Sequence, residues 1–135
     1  GAGVGAGGAA PALGWRAATR LVGFAAAGGG PEVMGVGPVP STEKALQRAG
    51  MTIADIDLFE INEAFAVQVL AFLDHFEIAD DDPRVNPMGG AIAVGHPLAS
   101  SGIRLMTNLA RDFETNPDAR YGSNTMRSGV RVRGT

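Results

Sequence analysis

The stretch Asn86-Pro87-Met88-Gly89-Gly90-Ala91-Ile92-Ala93-Val94-Gly95-His96-Pro97 sets an imidazole between a glycine and a proline. Those neighbours restrict the backbone, so the His96 ring is aimed and not mobile. Imidazole is the usual general base near neutrality, although a single histidine also serves in purely structural positions. A second stretch, Glu60-Ile61-Asn62-Glu63-Ala64-Phe65, lies where a strand is expected to end and a helix to begin. Asn62 there reads either as the N-cap of that helix or as an amide held at the carboxyl end of a strand, where α/β folds present ligands. Glu63 falls in the expected first helical turn, where the helix dipole favours its charge. His75 lies on the polar stripe of the same helix and is assigned no role. No residue is assigned to metal or cofactor binding.

The elements that must hold these side chains are those of an α/β domain, centred on residues 31–115. Arg20 to Ala25 has strand character. Ser41 is placed to cap a helix running to Ala49, with Glu43 in its first turn and Gly50 as its stop. Asp57 to Ile61 reads as a short buried strand. Glu63 to Phe76 is apolar on nearly every face apart from Gln68 and His75, so that helix belongs inside a layered fold. Ser100 or Ser101 is placed to cap a third helix, whose Ile103, Met106, Leu109, Ala110 and Phe113 share one face and which Asn116-Pro117 ends.

Composition narrows the classes of function. The chain has 135 residues, enough for one domain, with 45% apolar and 19% charged side chains, which excludes a disordered polyelectrolyte. Its formal charge of −3 gives no electrostatic support for a nucleic-acid or anionic-membrane partner. No apolar run approaches the ~20 residues of a membrane span and no signal-peptide layout opens the chain, so a cytoplasmic location is expected. Cysteine is absent, which removes disulfides, zinc–thiolate sites and any thiolate nucleophile within this chain. Glycine and alanine fill 20 of the first 30 positions, and residues 1–19 are expected to be disordered or loosely attached. Residues 127–135 form a basic tail.

Met34-Gly35-Val36-Gly37-Pro38-Val39-Pro40, Asn62-Glu63-Ala64-Phe65, Asn86 to Pro97 and Ser101-Gly102 occur in one order. Together they resemble the C-terminal half of the thiolases, the acetyl-CoA acyltransferase and acetyltransferase family. The resemblance covers about Arg20 to Met126. It implies a thiolase-like α/β half-domain, a mixed β-sheet flanked by helices. It implies acyl transfer between acyl-CoA thioesters, either 3-ketoacyl-CoA thiolysis or acetyl-CoA condensation, in fatty acid metabolism. Coenzyme A thioesters enter as substrates and no cofactor is needed. The implied partners are the thiolase N-terminal half and further copies in a homo-oligomer, with no nucleic acid and no membrane.

On the same pattern His96 would deprotonate a nucleophilic cysteine and help to hold the thioester oxygen, while Asn62 would fix a water completing the oxyanion hole. A water held end to end between them requires polar atoms about 5–6 Å apart, or up to about 8 Å in an empty site. The family's nucleophile lies in the N-terminal half. Its second cysteine, the acid/base for the α-proton, follows a segment like Tyr121-Gly122-Ser123-Asn124-Thr125-Met126, and here Arg127 stands in that place. Ala99 replaces the usual glycine after the Gly-His-Pro turn. Truncated or altered ends are therefore expected, as is a chain that does not turn over alone. The alternative reading is a non-catalytic α/β module that assembles with a partner chain.

Overall fold

The computed structural model describes residues 8–28, 35–126 and, as backbone, 128–134. Its elements are α1 (Ala9–Ala12), β1 (Thr19–Ala26), α2 (Pro38–Ala49), β2 (Leu58–Ile61), α3 (Ala66–His75), α4 (Ala91–Val94), α5 (Ser101–Thr115), β3 (Tyr121–Thr125) and β4 (Ser128–Gly134), with a short 3-10 turn at Ile53–Asp55. The four strands form one sheet in the order β1-β4-β3-β2. β4 runs antiparallel to both its neighbours, whereas β2 and β3 are parallel. The sheet is therefore mixed, and helices cover both faces.

Alternation along β2 assigns those faces. Phe59 and Ile61 point into a core shared with Val39, Leu46, Phe72, Leu73 and Ile78, from α2, α3 and the segment after α3. Leu58 points the other way, against Leu109 and Phe113 of α5 and against Ala119. All four β2 residues are buried, as a strand covered on both faces requires. Gly122 of β3 lets α5 come close, since a methyl there would lie 2.8 Å from Leu109 Cδ2 and 3.0 Å from Phe113 Cζ.

The helix boundaries correct the sequence reading in three places. α2 starts at Pro38 and not at Ser41, because proline at the first helical position lacks only an N–H that would be unpaired anyway. The Ser41 hydroxyl instead donates back to Pro38 O and Gly37 O. Gly50 does stop α2, in the left-handed region at φ 64°. α3 starts at Ala66, behind Phe65, and Asn62 is not its cap. Asn62 N donates to Thr125 O at 2.9 Å, which keeps the chain on the sheet for one residue beyond β2. Ser100 does occupy the N-cap of α5, but neither serine caps it through its side chain. Both hydroxyls turn back to Pro97 O.

α3 is also less enclosed than its composition implies. It buries Gln68, Phe72 and Leu73, while Val67 is 73% and Leu70 48% exposed. On α5 the buried face runs through Leu105, Leu109, Asp112 and Phe113, with Ile103 turned partly outward. Of the segment expected to be disordered, residues 1–7 lie outside the described residues; α1 is a single turn with no buried residue. No helix among the described residues is long and apolar enough to cross a membrane.

Candidate active site

The two stretches singled out by their chemistry meet at the carboxyl end of β2. Asn62 is the residue just past the strand, buried, with its Nδ2 3.5 Å from His96 Nε2. This is shorter than the 5–6 Å expected for a water held in line between them, so the two side chains touch. Their closeness favours a different shape. Groups 3.5 Å apart can both reach one oxygen at about 2.9 Å, with that oxygen at the apex of a triangle. Asn62 Oδ1 is buried and has no hydrogen-bond partner among the described residues.

The histidine is aimed by its loop. Gly95 takes φ 92°, a backbone conformation that side chains disfavour. On the far side of the ring, His96 Nδ1 lies 2.6 Å from Ser101 Oγ. An amide N–H of Asn62 can only donate, so Nε2 accepts and the ring proton sits on Nδ1. That tautomer agrees with a Ser101 hydroxyl whose own hydrogen goes to Pro97 O at 3.0 Å, leaving Oγ to accept from Nδ1. A neutral imidazole held in this way turns a basic nitrogen toward Asn62, the arrangement of a general base. Ser101 was expected as a helix cap; its position five residues after His96, at the first residue of α5, was the available signal.

Two further residues hold the loop to the strand. Asn86 Oδ1 accepts from Ile61 N at 2.7 Å and its Nδ2 donates to Ile61 O at 3.1 Å, so its amide extends the edge of β2. Asn86 itself sits at φ 46°, a region asparagine tolerates better than most residues. Glu63 was expected in a first helical turn and is not in one. Its Oε1 accepts from Asn86 Nδ2 at 2.8 Å and its Oε2 from Ile92 N at 2.9 Å. Ala99 lies in the turn before α5 and is not in the left-handed region, so the absence of glycine there needs no strained backbone. Arg127 lies outside the described residues, and His75 lies away from the site, 2.9 Å from Glu43 on the surface.

Glu60 presents the opposite environment on the α5 side of β2. It is fully buried, Asn108 Nδ2 donates to its Oε2 at 3.1 Å, and Oε1 has no partner among the described residues. Burial is the main cause that pushes its carboxyl up to about 7; the Asn108 hydrogen bond opposes the shift, Asp112 adds to it and Arg104 opposes it. Burial also raises Asp112. Glu60 drew no attention in the sequence because nothing in a four-residue apolar strand announces what lies across from its one acid.

Comparison with known proteins identifies the family. Residues 15–132 match the family model for the thiolase C-terminal domain. The chain is 50% identical over 117 residues to a beta-ketoadipyl-CoA thiolase of Pseudomonas knackmussii, covering 87% of this chain and 29% of that protein. It is 47% identical over 121 residues to the 3-oxoadipyl-CoA/3-oxo-5,6-dehydrosuberyl-CoA thiolase of Escherichia coli, with 90% and 30% covered. With a 3-ketoacyl-CoA thiolase of Vibrio cholerae it shares 50% identity over 124 residues, with 90% and 31% covered. The chain thus spans about three tenths of the length of these relatives. Sheet, motifs and matches agree: the chain belongs to the thiolase family, and it carries that family's C-terminal domain.

Proposed function

We propose that this chain supplies the base and one wall of the oxyanion hole to a thiolase that transfers acyl groups between coenzyme A thioesters. The observation that carries the reading is the line Ser101–His96–Asn62, with contacts of 2.6 and 3.5 Å and a buried, unpartnered Asn62 Oδ1. Ser101 holds the ring so that His96 Nε2 takes the proton of a nucleophilic thiol. The thiolate then attacks the thioester carbonyl, and the imidazolium just formed, now a donor and no longer an acceptor, faces the oxygen that gains charge. As the carbon–sulfur bond breaks and the acyl-enzyme forms, His96 returns its proton to the coenzyme A sulfur, which leaves as the thiol. Asn62 Oδ1 accepts a hydrogen from a water whose other hydrogen reaches the same oxygen. Two aimed donors are each commonly worth about 3 kcal/mol in the transition state.

The nucleophile must come from the thiolase N-terminal half, because this chain has no cysteine. Phe65, Met88, Ile92, Val94 and Leu98 are more than half exposed around the site. We assign that apolar surface to the contact with the N-terminal half in a cytoplasmic homo-oligomer. The names of the relatives, which are beta-ketoadipyl-CoA, 3-oxoadipyl-CoA and 3-ketoacyl-CoA thiolases, support a 3-ketoacyl-CoA as the substrate class. With neither family cysteine present, the isolated chain is inactive.

The test combines the chain with the nucleophile-bearing N-terminal half of a relative, such as the Escherichia coli thiolase. Acetylation of its cysteine by acetyl-CoA is then followed by mass spectrometry. His96→Ala should slow acetylation by about 10²-fold or more, and the chain alone should show no thiolysis of acetoacetyl-CoA. Stable assembly with acetylation indifferent to His96 would favour the non-catalytic module, and turnover by the chain alone would refute the assignment of the nucleophile.

A further inference from the structure

Glu63 joins two parts of the chain that no regular hydrogen-bond ladder joins. One oxygen accepts from Asn86, whose amide is part of the β2 edge; the other accepts from Ile92 N, in the first turn of α4. Gly90 lies directly on this carboxylate, and a methyl there would overlap the Glu63 carboxyl carbon and both oxygens. From Ile92 the connection to the imidazole is short and stiff. Gly95 N donates to Ala91 O at 2.8 Å, closing α4, and His96 follows at once.

We infer that Glu63 is the positioning residue for His96: its carboxylate latches the α4 loop to the end of β2 and so sets where the imidazole stands beside Asn62. The importance of His96 to acyl transfer rests on the function proposed above, whereas the latch itself does not. A carboxylate suits the place because both groups that meet it are N–H donors and it only accepts. Asn86 cannot turn to offer its oxygen, because that oxygen already accepts from Ile61 N at 2.7 Å and its Nδ2 donates to Ile61 O at 3.1 Å. An amide at position 63 therefore sets a donor against a donor at one of its two contacts. The latch leaves the sheet alone, since β2 is tied to β3 by its own ladder and to Asn86 independently of Glu63.

The test uses the isotopically labelled full chain with two variants that strike the latch from opposite sides, Glu63→Gln and Gly90→Ala. Each should speed hydrogen exchange at the Ile92 amide by about tenfold or more and should average the His96 ring nitrogen signals between tautomers. The β3 amides should keep their parent protection. In a Glu63→Ala background, where the methyl has room, Gly90→Ala should change Ile92 exchange by less than about twofold. Unchanged Ile92 and His96 signals in both variants would overturn the inference. So would loss of protection throughout β3 in step with Ile92, which would make Glu63 a general stabiliser. A latch confirmed by these signals beside a His96→Ala variant that still acetylates would leave the latch standing and remove the proposed catalytic role.

Discussion

Glu60 and Glu63 are three residues apart at the end of one strand, and the fold treats them in opposite ways. Glu63 stands just past β2, half-buried, with both oxygens accepting N–H bonds that cross from one segment to another. Glu60 is inside β2, fully buried under α5, with one donor on one oxygen and, among the described residues, none on the other. The first is a carboxylate used as a fastener. The second is a carboxyl whose surroundings favour its neutral form. Burial and the number of donors aimed at an acid decide together what it does, and at Glu60 burial is the larger cause.

The strongest challenge to that contrast is Asn86→Ala. It strips Ile61 N and O of their partner and Glu63 Oε1 of a donor, and it places alanine at a positive φ. The loss should be about 4 kcal/mol in urea denaturation. A loss below about 1 kcal/mol would mean the fastened side is no better organised than the Glu60 side.

Glu60→Gln should act the other way. With its carboxyl raised from 4.5 to about 7, folded Glu60 keeps its proton between those values while the unfolded chain releases its own. Stability from this group is therefore undiminished below about pH 4.5, falls as pH rises through 7, and is reduced by about 3 kcal/mol at pH 8. The raised carboxyl of Asp112 carries the same sign. The glutamine variant should thus be more stable than the parent at pH 8, similar at pH 4.5, and flatter between, as followed by thermal unfolding across pH.

Gly122→Ala drives a methyl against Leu109 and Phe113 and should cost about 1–3 kcal/mol by overpacking. If the comparison is right it also lifts α5, admits water to Glu60 and weakens the pH dependence. The smallest effect belongs to Glu43→Ala, which removes the exposed His75–Glu43 contact and should change stability by less than about 0.5 kcal/mol.

Much of the molecule could be read along the chain because it depends on near neighbours. Gly50 stops a helix by its own conformational freedom, Gly95 permits the positive φ of the turn before His96, and Pro97 restricts the backbone of His96 itself. The ends of helices were harder. Asn62 looks like a cap because it precedes a helical pattern, but a hydrogen bond to Thr125, 63 positions later, holds it on the sheet. The outward face of α3 reads as core because apolar pattern reports what a helix can bury and not what this chain brings to cover it.

The sequence by itself determined the family, the α/β class, and the pairing of His96 with Asn62, since motif order and local backbone restrictions are properties of the chain. Tertiary structure alone decided that the two touch at 3.5 Å, that Ser101 holds the ring, that Glu63 faces two donors while Glu60 faces one, and that Gly90 has no room for a methyl. Apart from the Ser101 contact, which spans five positions, those outcomes turn on hydrogen bonds and contacts between segments about 20 to 50 positions apart. Their strength depends on distance and desolvation in space, quantities that no spacing along the chain encodes.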